Sequence, residues 1–375
     1  PIEKDEYKKQ VDYFNYYKNS IGYSLFYFLM NDISQNEGSP FQSAMIFESP
    51  LGKNNNYLNL QIQPVDGQYL KAIEEVKKEY YQILSHGFSE IKFNNMINTY
   101  KENLKNYYNN KETINSFDKL NYLIEDINSN SVHMSDKYFY EMSMSILDQL
   151  EVKDINDSVL RWLDSTHRTI IIIEPQETVS KLPSADKFIT ALNKEFGSIV
   201  EVIEIDWAQV PLIKDNIKSG EIVNVIEHKS LDIIEWHMSN GVKVILKQTD
   251  FEEDNIVLHG MGLGGTSLST EKDFQSVKQI NELFKNAGVG EFSSNNLQKK
   301  LLSFPAIEVS PFIDEYKQGI NGETNLENFE SMLQLIYLYF TDPYYEKRQL
   351  DLYKRDLEDE VKNRLLNPNT VFLDY

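Results

Sequence analysis

The sequence predicts an α+β protein of two related modules, each a mainly antiparallel sheet packed against helices. Three observations carry that expectation. Long stretches with apolar residues every three or four positions read as helices, and short alternating stretches bounded by turn residues read as strands. They come in the order helices with strands, one strand, a proline-broken stretch, then strands with helices, which argues against one doubly wound sheet. The length, 375 residues, exceeds one ordinary domain, and 41% apolar content is enough to build real cores.

Each element follows from local pattern. Val11, Phe14, Tyr17, Ile21, Leu25, Phe28 and Leu29 form the stripe of a first helix over 10–33. Alternation between Ser43 and Gln63, clearest over Tyr57–Ile62, predicts a hairpin, with turns at Ser49–Gly52 and Pro64–Gly67. Leu70, Ile73, Val76, Tyr80 and Leu84 set a helix over 67–85 that His86-Gly87 ends. Ser89 then caps a long polar helix to about Tyr108. Helical stretches follow at 113–127, 136–149 and 154–164. The β-branched run Thr169–Glu174 reads as a strand buried on both faces.

Pro175, Pro183 and Pro211 interrupt the next region, where a short helix over 184–195 is expected. Asn240-Gly241 is the strongest short hairpin signal in the chain and opens the second module. A strand over Asn255–His259, the glycine-rich 260–265, helices over 272–287 and 294–302, strands over 307–313 and 316–320, and helices over 325–340 and 343–366 complete it. The expected division is therefore 1–175, a connection over 176–232, and 233–375.

Composition narrows the function. Thirty-seven basic against 58 acidic residues give a formal charge of −21, spread along the chain. Such a surface repels the phosphate backbone of nucleic acids and an anionic membrane alike. The absence of cysteine excludes disulfides, thiolate metal sites and cysteine nucleophiles, and suits cytosol and periplasm equally. The longest apolar runs, Tyr23–Met30 and Met332–Phe340, fall well short of the ~20 residues that span a bilayer. The chain opens at Pro1 without a basic, then apolar, leader, and reads as a trimmed or processed piece.

Gly260-Met-Gly262-Leu-Gly-Gly265 spells G-x-G-x-x-G between a strand and a helix. A dinucleotide site also needs an acidic residue closing a parallel strand ~20 residues on. Asn281–Phe292 instead continues a helix into a turn, so the glycines read as structural. His86, His133, His167, His228, His237 and His259 are scattered, with no helical pair of the kind that converges on zinc. The acidic runs Glu252–Asp254 and Glu358–Glu360 read as solvated faces. No self-contained catalytic constellation is present in these patterns.

Trp236-His-Met-Ser-Asn-Gly-Val-Lys-Val-Ile-Leu-Lys-Gln-Thr-Asp-Phe251 resembles the segment that opens the third domain of insulinase/pitrilysin-like zinc peptidases (inverzincins), the long bacterial forms in particular. Gly264–Leu268, Gly288–Phe292, Val309–Ile313 and Phe340–Pro343 follow in that domain's order. Ser20–Asp32, Ser39–Phe41, His86–Glu90 leading into Lys101–Thr113, and the strand before Pro175 are similar to the second domain. The resemblance covers nearly the whole chain.

It implies a parent of four α+β domains in two halves enclosing a chamber for peptides. The zinc would lie in a first domain on an inverted H-x-x-E-H helix, with the glutamate of that motif as general base. This chain would lack the first and fourth domains, starting inside the second and stopping inside the third at Tyr375. In the degenerate third domain, Gln279, Glu282 and Leu283 fall where the inverted motif would lie, and Glu360 resembles the downstream glutamate ligand. Gln279 and Leu283 cannot replace two imidazoles, so the resemblance assigns no catalytic, metal or cofactor residue to this chain.

The implied function is the non-catalytic middle portion of a zinc metalloendopeptidase: chamber wall, substrate enclosure and hinge, with zinc in the missing N-terminal domain. The acidic balance suits basic or neutral peptides. The alternative is a structural or assembly protein of the same fold family. Implied partners are peptide substrates and the missing first and fourth domains, with periplasm and bacterial cytoplasm both open. Truncated sheets and an uncovered domain face also predict self-association.

Overall fold

The computed structural model describes the chain apart from residues 1, 4–7, 37, 52–54, 66, 129, 160–168, 175, 177, 197–204, 215–216, 286, 303, 305, 346, 365–369, 371 and 373–375. The chain divides into two compact units, Pro1–Trp207 and Ala208–Tyr375. Both are built of helices packed with antiparallel sheets, which is the α+β class the pattern predicts.

The first unit opens with β1 (Ile2–Glu3) and α1 (Gln10–Ser34), followed by the hairpin of β2 (Phe41–Leu51) and β3 (Asn55–Pro64). The hairpin pairs antiparallel from Phe41 opposite Pro64 to Leu51 opposite Asn55. Helices α2 (Tyr69–His86), α3 (Glu90–Asn109), α4 (Ser116–Asn128), α5 (Asp136–Gln149), α6 (Val152–Val159) and α7 (Ala185–Asn193) complete it. Of the expected α1 stripe, Tyr17, Ile21 and Leu25 are buried, Phe14, Phe28 and Leu29 are half-buried and Val11 is 55% exposed; Phe26 and Met30, outside that stripe, are fully buried as α1 packs on β2, α3, α5 and α6. Phe41, Ala44 and Ile46 supply the sheet side of the same core, and Ile146, Leu147, Ile155 and Val159 the helical side.

Caps fall where the residue types place them. The Ser89 hydroxyl accepts from the Lys92 N–H at 3.3 Å, and the Ser135 hydroxyl from Tyr138 at the same distance. Gly87 leaves α2 with φ of +74°, and a side chain there would run into Asn156, whose carboxamide accepts from the Phe88 N–H at 2.8 Å. Helix α7, inside the stretch read as a connection, packs on α2 and buries Phe188 and Ala191.

The isoleucine run departs from expectation. Residues 169–174 form no strand, and Ile171 and Ile173 are 78% and 89% exposed. A β-branched run favours extended backbone, but it becomes a buried strand only when a neighbouring strand takes up its N–H and C=O groups. None among the described residues does so. Pro175, His167 and the far end of the helix expected over 154–164 lie outside the described residues.

The second unit begins with a three-stranded sheet of β4 (Ile222–His228), β5 (Ile233–Met238) and β6 (Lys243–Leu246), in that order. Asn240-Gly241 turns β5 into β6, with Gly241 at φ +87°. Next come β7 (Ile256–Leu263), α8 (Phe274–Lys278), α9 (Ile280–Lys285), β8 (Gly288–Val289), α10 (Ser294–Leu301), β9 (Glu308–Ile313), β10 (Lys317–Thr324), α11 (Phe329–Thr341), β11 (Pro343–Tyr344) and α12 (Lys347–Asn363). A second sheet has the order β7-β10-β9, and α11 lies on β9 and β10 with Met332 and Leu335 buried. The helix expected over 272–287 is interrupted at Gln279, whose N–H bonds the Ser276 carbonyl in a tighter turn. Among the described residues no helix is long and apolar enough to cross a membrane.

Candidate functional site

The glycine-rich segment lies along a sheet edge. Gly260 and Gly262 belong to β7 and pair with Ile320 and Gln318 of β10. Gly265, at φ +81°, opens the single turn Thr266–Leu268, and α8 begins at Phe274. No helix N-terminus therefore faces these glycines at the point where a pyrophosphate would need one. The other edge of the sheet is closed by Asn281 of α9, whose carboxamide donates to the Ile313 carbonyl at 2.9 Å and accepts from its N–H at 2.7 Å. The outer edge of β7 carries no partner strand among the described residues.

Helices α9 and α12 meet, and Gln279, Glu282 and Glu360 lie about Tyr353 of α12. The Tyr353 hydroxyl of α12 donates to the Gln279 side-chain carbonyl. Burial, then the carboxylates of Glu282 and Glu360, push the Tyr353 phenol above its ordinary value. A phenol held protonated in this way is a donor, not a base or a metal ligand. Glu282 and Glu360 are both solvent-exposed, and Leu283 is half-buried. The fold thus brings two carboxylates and the Gln279 carboxamide to one tyrosine, with no imidazole among them. This donor set does not fit zinc. Among the described residues no group of three or more histidine, cysteine, aspartate or glutamate side chains could hold a metal ion.

Four of the histidines have local side-chain partners. His133 bonds Asp126 at 2.8 Å, and His259 bonds Asn321 at 2.6 Å while stacking on Phe312 at 5.4 Å. His228 and His237 meet at Glu235, their Nε2 atoms 3.1 Å and 2.7 Å from its two carboxylate oxygens. Lys243 approaches the same group at 3.6 Å. The two rings flank the carboxylate on different oxygens, so they do not share a ligand position. These bonds, His237 first and His228 second, hold the Glu235 carboxyl at about 2. Sequence reasoning passed over this cluster, although Glu235 and His237 are two apart on one strand and so share a face. The third member, His228, comes from the neighbouring strand, where register alone places it.

An open cleft of about 450 Å³ is lined by residues 211–214, Ile217 and Lys218, by Phe292, and by Leu338 near the C-terminal end of α11. Lys214 and Glu291 pair across its rim.

No protein-family model matches the chain. The probable zinc protease PqqL of Haemophilus influenzae is 22% identical over 330 residues, spanning 85% of this chain and 34% of the relative. A zinc protease PQQL-like protein of Arabidopsis thaliana is 20% identical over 292 residues, spanning 76% of this chain and 28% of its own length. The chain thus spans about a third of the length of the curated relatives it matches. Among solved structures, a mutant of the ferredoxin protease FusC in complex with Arabidopsis ferredoxin has the same fold, with a TM-score of 0.51 and 14% identity over 98% of this chain and 41% of that one. The chain is insulinase/pitrilysin-like, and it matches zinc proteases over part of their length.

Proposed function

We propose that this chain is a non-catalytic middle portion of a zinc metalloendopeptidase, forming wall and enclosure of a chamber in which peptides are cut by a zinc domain outside it. The observation that carries this reading is the α9–α12 contact. Gln279, Glu282 and Glu360 gather around Tyr353 as a metal site's skeleton would, yet imidazoles are absent from it. In this reading residues 1–175 are a second-domain module, 176–232 a connection, and 233–375 a degenerate copy of the zinc domain. The partners are peptide substrates and the remaining domains of the parent. The FusC structure contains a protein, ferredoxin, bound to that protease, which supports protein-derived substrates for the parent here. The open β7 edge, smoothed by Gly260 and Gly262, suits main-chain pairing with an extended peptide.

The test compares this chain with the full natural protein that contains it, for zinc content and for cleavage of a quenched fluorescent peptide. Stoichiometric zinc and cleavage in the longer protein alone are expected. Zinc and cleavage in the isolated chain would overturn the reading. Neither property in either protein would move it to a structural or assembly subunit of the same fold.

A further inference from the structure

The β9 edge of the second sheet is met by a side chain instead of a strand. Which of its backbone groups face outward follows from the turn into β10, where the Asp314 N–H donates to the Lys317 carbonyl at 2.8 Å. Bonded pairs recur at every second residue of an antiparallel ladder. Glu308, Ser310 and Phe312 therefore turn their backbone groups inward to β10, and Val309, Pro311 and Ile313 turn theirs outward. Pro311 has no N–H to offer. Ile313 has both groups engaged, since the Asn281 carboxamide accepts from its N–H at 2.7 Å and donates to its carbonyl at 2.9 Å. Of the three outward residues, Val309 is the one left with both a donor and an acceptor lacking a partner among the described residues.

A carboxamide carries the donor and acceptor of a peptide group. Bound to both groups of one residue, Asn281 reproduces the two bonds that a neighbouring strand makes at such a position. The edge thus shows what chemistry it takes, because the amide already seated on it belongs to this chain. Asn281 sits on α9, whose six residues are too few to be stable in water by themselves. The tight turn at Gln279 parts α9 from α8, the Tyr353 hydroxyl holds Gln279, and the rings of Phe284 and Tyr345 lie 6.0 Å apart. We propose that Asn281 is an internal competitor for strand addition: it holds the β9 edge closed, and the main chain of an extended peptide takes the same two bonds at Ile313 when α9 swings away. With Asn281 in place an added strand finds one complete pairing position, Val309. With Asn281 displaced it finds two, Val309 and Ile313, with the Pro311 carbonyl between them, enough to begin a ladder. This goes beyond the protease reading and does not rest on it, and no outcome of a zinc or cleavage assay bears on it.

Residue-resolved amide exchange reads the contact, and photo-cross-linking reads the competition. The probe is a short peptide of alternating valine and threonine, flanked by lysines and carrying one benzophenone, with its cross-links mapped by mass spectrometry. Asn281→Ala is expected to speed exchange of the Ile313 amide about tenfold or more, since two hydrogen bonds are lost, and to leave the Ile320 amide, paired inside the sheet, unchanged. The same variant is expected to gain cross-links on residues 308–313 that the wild type lacks. Asn281→Asp, nearly equal in size, is expected to gain them too, because an ionised carboxylate cannot donate to the Ile313 carbonyl. Adding Val309→Pro, which deletes an outward N–H and no bond to β10, is expected to remove the gained cross-links. Cross-links are scored on β9 alone, so pairing of the probe with the open β7 edge does not enter. Faster exchange at Ile313 without new cross-links in either variant would make Asn281 a structural fastener and overturn the proposal. Unchanged exchange at Ile313, equal β9 cross-linking in the wild type, or gained cross-links that survive Val309→Pro would each overturn it as well.

Discussion

In the first unit, α1 lies on the β2–β3 hairpin and is enclosed by α3, α5 and α6, so Ile21, Phe26 and Met30 have no exposed surface. In the second, the β4–β5–β6 sheet carries apolar residues on both faces, and Val225, Ile234, Ile245 and Leu246 all remain exposed. The strands of the exposed sheet are the more apolar of the two sets, yet the hairpin is part of a core and this sheet is a surface. The difference is the layer laid over the sheet: alternating strands offer an apolar face, and burial comes only from what packs on it. The β7–β10–β9 sheet lies between these extremes, with α11 over β9 and β10 and an open edge at β7.

Substitutions at the enclosed and the open sites sharpen this contrast. Phe26→Ala is expected to cost about 3–5 kcal/mol in urea unfolding, by removing a fully buried ring from a packed interior. Leu335→Ala, on the buried face of α11, is expected to cost about 2–5 kcal/mol. A loss well under that at Leu335 would mean that the second unit's helix-covered sheet is no tighter than its open one. Gly265→Ala is expected to cost about 1–3 kcal/mol, because φ is +81° and a Cβ would lie 2.4 Å from the Asp314 carbonyl oxygen. An unchanged unfolding midpoint would show that the turn after β7 yields easily.

The β4–β6 sheet is expected to depend on acid through Glu235. Its carboxyl is held at about 2 against an ordinary 4.5, so the native state binds fewer protons than the unfolded chain between those values. The contribution is present above pH 4.5 and is lost as pH falls toward 2. Fluorescence of the adjacent Trp236 on β5 should report the loss, and Glu235→Gln should abolish that pH dependence. A profile identical in wild type and variant would sever the link between the two histidines and the sheet. The smallest effect is expected at Val225→Thr and Ile245→Thr, within about 0.5 kcal/mol, since both side chains already face solvent. A larger loss there would reveal a cover on the sheet and erase the contrast.

Much of the architecture is legible in local pattern. The α1 stripe, the Ser89 cap, the Asn240-Gly241 hairpin and the helical stretches over 136–149 and 184–195 match observed elements closely, because period, caps and turn chemistry act within a few residues. The contact of α9 with α12, where Tyr353 bonds Gln279 and feels Glu282 and Glu360, joins segments some 70 residues apart and has no local sequence signal. Tyr353 itself carries no sequence signal, since nothing local marks which of 23 tyrosines faces that contact.

The sequence by itself determined most of the helices and the hairpins, because these depend on side-chain identity and spacing along one segment. The tertiary structure alone decided three things: that residues 169–173 stay exposed with no partner strand among the described residues, that Glu235 gathers one histidine from its own strand and one from the next, and that α4 leaves Phe117, Leu120, Ile124 and Ile127 exposed. Each depends on which neighbour is present across space. A strand is completed by another strand's backbone, a carboxylate by donors brought in register, and an apolar stripe by whatever covers it.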